Sequence, residues 1–499
     1  MDAGTDPTGR VRRDVRSLIA DGDPAGVLPA YGEAIRIMRE LDLADGDAPP
    51  TNPLGWRFQA AIHGISDEFG VEISNDPTWN SCRHNSWFFH AWHRIYLTRF
   101  EQIVQRHLGD DAWALPYWDY TNLDDEDARR LPAPFRDSAP GNQLFTTARR
   151  AEINDGRPLP RQTADAWLAL AVPDFALPRS DVRPTFGGGI VEDVTPIADA
   201  RGSLEGTPHG TVHGTVGGWM GRFDTAALDP IFWLHHANID RLWDVWLGLG
   251  FVNPPNDTWV RTSFRFYDAD GRRTRTRIGD ILDTRALGYT YESIEPPPGI
   301  VRRLRREGLL PARGEAPAVE PDAFAKEAPR MPSPELVGAM TDVPFDQTTT
   351  VAIELEPPRR QIRAVVGRGD GDGDDEAADA ATAENPDERW YLRVENLVGR
   401  PEAAAYAIYL DPDGPGSEEP RHIGTVAAFG IMEASRTSDT RDGTGVTDVF
   451  DITESVRELA AAGAWNPSRA SVTITPIGMR DEPVRGGDVR AGRVSFFRG

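Results

Sequence analysis

The stretch Cys82-Arg83-His84-Asn85-Ser86-Trp87-Phe88-Phe89-His90-Ala91-Trp92-His93-Arg94 holds the only cysteine of the chain and three of its ten histidines. Aromatic side chains surround them, as in a core. Trp87 to His107 has the apolar spacing of one long helix. On a continuous helix His84 and His93 would lie on opposite faces, because nine residues make about 2.5 turns. His84 therefore belongs to the loop entering the helix, folded back toward His93. Imidazoles crowded in this way point to metal chemistry.

Two further regions supply company for them. Trp56 to Ile65 reads as a helix with Phe58, Ile62 and Ile65 on one side and His63 beside them; alone, such a histidine is ordinarily a core or surface residue. In Glu205-Gly206-Thr207-Pro208-His209-Gly210-Thr211-Val212-His213, His209 and His213 stand i,i+4, on one helix face. A helix start follows, with Asp229 as N-cap and Pro230 in the first turn. On that helix Phe232, His236 and Asp240 recur every four residues: an aromatic wall, an imidazole, and a carboxylate placed to hold the other ring nitrogen or a neighbouring arginine. His235 points about 100° away and reads as a support or core residue. Six histidines thus form two triples, His63/His84/His93 and His209/His213/His236. Imidazole sets without a carboxylate or thiolate suit zinc or copper, and two such sets with open positions can hold a small molecule between two ions. Dioxygen is the natural one if the metal is redox-active.

At 499 residues the chain exceeds what one core usually serves. The 54 basic and 78 acidic residues leave a net charge of −24, which argues against nucleic acid or an anionic membrane as partner. Lys326 is the only lysine. One cysteine excludes an internal disulfide framework, and neither a signal-like apolar run nor a membrane-spanning stretch occurs, so a cytoplasmic location is expected. Residues 1–295 read as a helical unit with long loops, 296–342 as a connector, and 343–499 as strands: Thr350 to Leu355, Trp390 to Val394, Ala405 to Leu410, Val449 to Ile452, Val472 to Thr475 and Arg493 to Phe497. Within them the acidic run 366–388 reads as a flexible loop. His422 reads as a surface residue.

The histidine pattern resembles the type 3 copper proteins: tyrosinases, catechol oxidases and hemocyanins. A helix histidine then His-x8-His, followed by HxxxH and Phe-x-x-His-His-x-x-x-Asp-Arg, match that family in order. Pro208 to His213, Met-Gly-x-Phe at Met220 to Phe223 and Leu-Gly-Tyr-x-Tyr at Leu287 to Tyr291 resemble plant-type polyphenol oxidases. The resemblance implies a four-helix-bundle catalytic domain with two copper ions and a C-terminal antiparallel β-sandwich-like domain that shields it. His63, His84 and His93 would bind one copper, His209, His213 and His236 the other. Cys82 would form a thioether with His84; a free buried cysteine is the plain alternative. Glu205 would order a water, and Phe223 would gate the first copper, although a surface glutamate and a packing phenylalanine would look the same. Gly210 stands where strong monophenol hydroxylases often carry Asn, so o-diphenol oxidation is expected to dominate. His90 replaces a usually apolar residue; it could touch the first copper's shell, but a structural role is the plainer reading.

The implied reaction is oxidation of o-diphenols to o-quinones by dioxygen, latent until the C-terminal domain is removed, with an activating protease as a possible partner. Phe429 and Ile431, within Val426 to Met432, are the candidate plugs of the pocket. A tyrosinase or o-aminophenol oxidase is the nearest alternative, and a hemocyanin-like dioxygen carrier the alternative from another class. A binuclear zinc hydrolase lacks the bridging carboxylate such sites favour. Oligomeric state is not readable from the sequence.

Overall fold

The computed structural model describes residues 9–499 other than 47, 66–75, 193–196, 298, 307–309, 311–332, 358–387, 414–418, 439–440 and 480–483. The first part is mainly helical, built on α1 (Val27–Asp42), α2 (Trp56–His63), α3 (Phe89–Leu108), α4 (Thr211–Val216) and α5 (Pro230–Gly248). In α5, 16 of 19 residues are buried, more than a one-sided surface helix would show, so it is a central element. Its start is fixed twice. The Asp229 side chain accepts from the Ile231 N–H at 3.1 Å, and Arg149 grips the same carboxylate with two nitrogens. Helix α3 is similarly buried and stops at Gly109, whose φ of 64° is left-handed.

The start and end of this unit are tied together. Arg10–Arg12 pairs in parallel with Tyr289–Tyr291. From that small sheet the hydroxyls of Tyr289 and Tyr291 donate to Asp240 at 2.8 and 2.6 Å, and Arg94 of α3 donates to the same carboxylate at 2.6 Å. Burial works against ionising Asp240, yet Arg94 and Arg12 hold it below the usual carboxylate range. This is the physical use of the Leu-Gly-Tyr-x-Tyr stretch.

The second part is two four-stranded antiparallel sheets. With β1 (Glu335–Pro344), β2 (Thr349–Glu354), β3 (Trp390–Val398), β4 (Ala405–Asp411), β5 (Arg421–Ala427), β6 (Val446–Asp451), β7 (Arg469–Ile477) and β8 (Arg490–Arg498), their orders are β6-β3-β8-β1 and β2-β7-β4-β5. Leu392, Val394 and Phe496 of one sheet share a core with Ile408, Leu410 and Ile474 of the other. The six strands expected from alternation are all present.

Two strands carry no such signal. Strand β1 lies at a sheet edge with mostly exposed side chains; it begins, and the helix Ile300–Arg306 lies, inside the stretch read as connector. In β5 five consecutive residues from Ile423 to Ala427 are buried, because one face meets the sandwich and the other the helical unit. Alternation cannot survive burial on both faces. The acidic run read as a flexible loop lies, except for Glu388, outside the described residues.

Candidate metal centre

The ligand atoms of His63, Cys82, His84 and His93 lie within 4.8 Å of one another, as do those of His209, His213, His235 and His236. All eight are buried. Four of the six candidate ligands are locked through Nδ1 to a backbone carbonyl: His63 to Phe223 at 2.8 Å, His93 to Phe89 at 2.8 Å, His209 to Glu205 at 3.0 Å and His213 to Met220 at 2.7 Å. Donation from Nδ1 puts the lone pair on Nε2. The Met-Gly-x-Phe turn thereby orients one imidazole of each set, Met220 serving the second and Phe223 the first.

The Nε2 atoms of His63 and His209 are buried with no hydrogen-bond partner among the described residues. Such orphans are costly in a protein interior, and a bound cation satisfies them. Burial first, and neighbouring imidazoles second, hold His84, His209 and His236 well below the ordinary histidine pKa, and burial lowers His63 to about 4. The rings are therefore neutral, the form that ligates metal. His93 and His236 stack at 4.5 Å between centroids, which brings the two sets together. The residues fit a pair of transition-metal ions.

Cys82 points its Sγ into the first set, 3.2 Å from His93 Nε2 and 3.7 Å from His84 Nε2. Burial pushes its thiol pKa well up, with Glu205 adding to the shift. Glu205 is itself buried, and its two oxygens accept from the Asn85 N–H at 2.8 and 2.9 Å. Burial pushes its carboxyl pKa up to about 8. Asn85 was not singled out from the sequence, although a left-handed φ of 56° at an asparagine beside a ligand makes it distinctive. The Phe223 ring lies on His84, 4.1 Å between centroids and 20° between planes. Phe232 stands 4.2 Å from His236 and 5.0 Å from His63, a wall shared by both sets.

Two expectations are corrected and one is decided. Of the two partners open to Asp240 it takes the arginine: it holds Arg94 and two tyrosines, while Nδ1 of His236 has no partner among the described residues. Ile431 belongs to the core of the β-sandwich and does not fill the pocket. His422 is partly buried, with Nε2 3.0 Å from the Thr425 hydroxyl. His90 stacks on Phe186 at 4.9 Å with Trp243 at 5.6 Å, outside both sets, which is the structural role. His235 backs the second set, with its Nδ1 3.0 Å from the Tyr120 hydroxyl.

The β-sandwich closes over the second set. Phe429, in the turn after β5, lies parallel to His213 at 4.2 Å and 11°, and touches Phe223 at 4.4 Å. A Cβ at Gly210 would come within 2.7 Å of Ala427 Cβ, and one at Gly214 within 2.3 Å of the Ala404 carbonyl. These glycines let the β-sandwich reach the ligand helix. Arg201 binds the Asp448 carboxylate, with Nε to Oδ1 at 2.8 Å, and Thr207 donates to the Thr425 carbonyl at 2.8 Å. Sequence gives no sign of the Arg201–Asp448 pair, whose members are 247 residues apart.

A helical bundle holding two histidine sets beneath a β-sandwich defines a binuclear metal oxidoreductase with a covered pocket. Residues 53–249 match the common central domain of tyrosinase, 253–303 the polyphenol oxidase middle domain, and 334–499 a domain of unknown function. The chain is 30% identical to the tyrosinase HcTyr1 of Hahella sp. (strain CCB-MM4), over 98% of this chain and 99% of that one. It is 31% identical to the chloroplastic polyphenol oxidase A of Solanum lycopersicum over 54% of its own length, spanning 45% of that protein. A solved latent aurone synthase shares the fold, with a TM-score of 0.62 at 20% identity over 100% of this chain and 91% of that one. The chain belongs to the type 3 copper family of tyrosinases and polyphenol oxidases, which are oxidoreductases. Its plant relatives are chloroplastic proteins, which overturns the cytoplasmic expectation. No described helix is long and apolar enough to cross a membrane.

Proposed function

We propose that this protein oxidises o-diphenols to o-quinones with dioxygen, on one copper ion held by His63, His84 and His93 and a second held by His209, His213 and His236. The two copper ions would supply dioxygen binding and two-electron redox chemistry. The observation that carries the reading is the pair of neutral, buried imidazole sets facing one another beneath Phe429. Around that centre the chain's own residues exclude water and orient the ring. Phe223 and Phe232 wall the pocket, and a phenol displacing Phe429 would take its place on His213. Glu205, held by Asn85 and with its carboxyl pKa near 8, is placed to hold a water and pass a proton to it or from it. Gly210 leaves that water without an amide partner, which favours diphenols over monophenols. Cys82 would close a thioether with a ring carbon of His84 and stiffen it, the thiol and ring hydrogens passing as two protons and two electrons to dioxygen and leaving the intact protein two hydrogens light by mass.

Residues up to about 295 form the catalytic unit in this reading, and those from the first sheet strand at Glu335 onward the shield, which keeps the enzyme latent. Relatives described as latent enzymes share this two-part layout. The test is catechol oxidation by copper-loaded full-length protein before and after proteolysis between the units. A large gain is expected; unchanged activity would sink the latent reading, and absence of turnover in both states would sink the oxidase reading.

A further inference from the structure

Phe429 presents more than a ring to the pocket. From the phenyl group lying on His213 the covalent path runs through Cβ and Cα to the carbonyl carbon, the skeleton of a 3-arylpropanoyl group. The carbonyl oxygen accepts from Nη1 of Arg201 at 3.2 Å. The same guanidinium takes the Ala427 carbonyl at 3.4 Å and the Asp448 carboxylate at 2.8 Å. Arg201 belongs to the helical unit, whereas all these partners belong to the β-sandwich. On the reading that the sandwich leaves before turnover, we infer that Arg201 is a specificity-determining residue. It takes the carboxylate of a catechol carrying a three-carbon acid chain, a 3-(3,4-dihydroxyphenyl)propanoate, in the place vacated by Phe429 and Asp448.

The reasons are chemical. Departure of the sandwich strips a buried guanidinium of its counter-ion and its carbonyl acceptors at once, and a planar fork in that state recovers most from a carboxylate. Arg201 also lines a cleft of about 290 Å³ between the units, together with Thr207, Ile423 and Asp448. A catechol with an amine-terminated chain would meet like charge there.

The test uses copper-loaded protein proteolysed between the units, so that Phe429 with its carbonyl, Ala427 and Asp448 leave together. The cleaved protein is expected to prefer the dihydroxyphenylpropanoate over neutral 4-propylcatechol by about 10- to 100-fold in kcat/KM, the value of one charged hydrogen-bonded contact, carried by KM. Arg201→Met in the cleaved protein erases the preference and Arg201→Lys keeps part of it. Calorimetric binding of the non-oxidisable 3-phenylpropanoate against 3-phenylpropanamide reads the same ratio without chemistry. Equal preference with Arg or Met at position 201 overturns the inference alone. No oxidation of 4-propylcatechol after removal of Phe429 overturns the covered-pocket reading and this inference with it.

Discussion

The first histidine set takes its surroundings from the helical unit: Phe223 lies on His84, Phe232 beside His63, and Trp92 beside His93 at 4.9 Å. The second lies under a separate fold. Gly210 and Gly214 are pressed by Ala427 and Ala404, Thr207 is bound to β5, and His213 carries the Phe429 ring. One half of the centre is enclosed mainly by the unit that builds it, with Phe429 reaching only its Phe223 and His84 side, and the other by the β-sandwich. The contact between the units is closest on the second side, and Gly210 and Gly214 beside its histidines record that docking.

The largest effect expected is from His236→Ala. It removes a ligand of the second ion and the ring that stacks on His93, so bound copper should fall from two ions to one and catechol oxidation should vanish, read by metal analysis and oxygen uptake. Asp240→Ala breaks a buried charge cluster far from the covered side. The loss expected is about 3–5 kcal/mol of unfolding free energy, measured by denaturant melts, with latency intact. Gly214→Leu probes the opposite region. Its side chain would overlap the Ala404 carbonyl and weaken docking by about 1–3 kcal/mol, seen as activity without protease and faster cleavage between the units. If Gly214→Leu stays as latent as the parent, the contrast between the halves fails.

Acid sharpens the comparison least, because both halves share its cause. Burial lowers His63 to about 4 and His90 and His235 to about 3. A histidine whose folded pKa lies below its unfolded value contributes full stability above pH about 6.5 and loses it as pH falls toward the folded value. Each such group then costs about 1.4 kcal/mol per pH unit in that window. The melting temperature of copper-free protein should therefore drop as pH falls from 6.5 to 4, and fall by less as pH rises from 7 to 8, where the buried Glu205 carboxyl, raised to about 8, still holds a proton that the unfolded chain has lost.

The histidine sets were legible because helical spacing and loop entry are local. HxxxH, His-x8-His and the Asp229-Pro230 start each fit within a few turns, and the structure keeps them. Asp240 was only half legible: its face on α5 was set by the repeat, but whether an imidazole or Arg94 stood opposite depended on how α3 crosses it. Phe429 and Ile431 are two residues apart, and only the turn at Gly430, with its left-handed φ of 86°, sends one to the pocket and the other to the core. Strand β5 was illegible for a related reason, since burial on both faces removes the alternation that marks a strand.

By itself the sequence determined the donor set, the helices that carry most of it and the β-character of the second part, because these follow from spacing and side-chain chemistry within short segments. Only the tertiary structure decided what covers the pocket, which carboxylate serves which arginine, and why positions 210 and 214 are glycine. Those depend on contacts between residues hundreds of positions apart, where one ångström separates a fit from a collision.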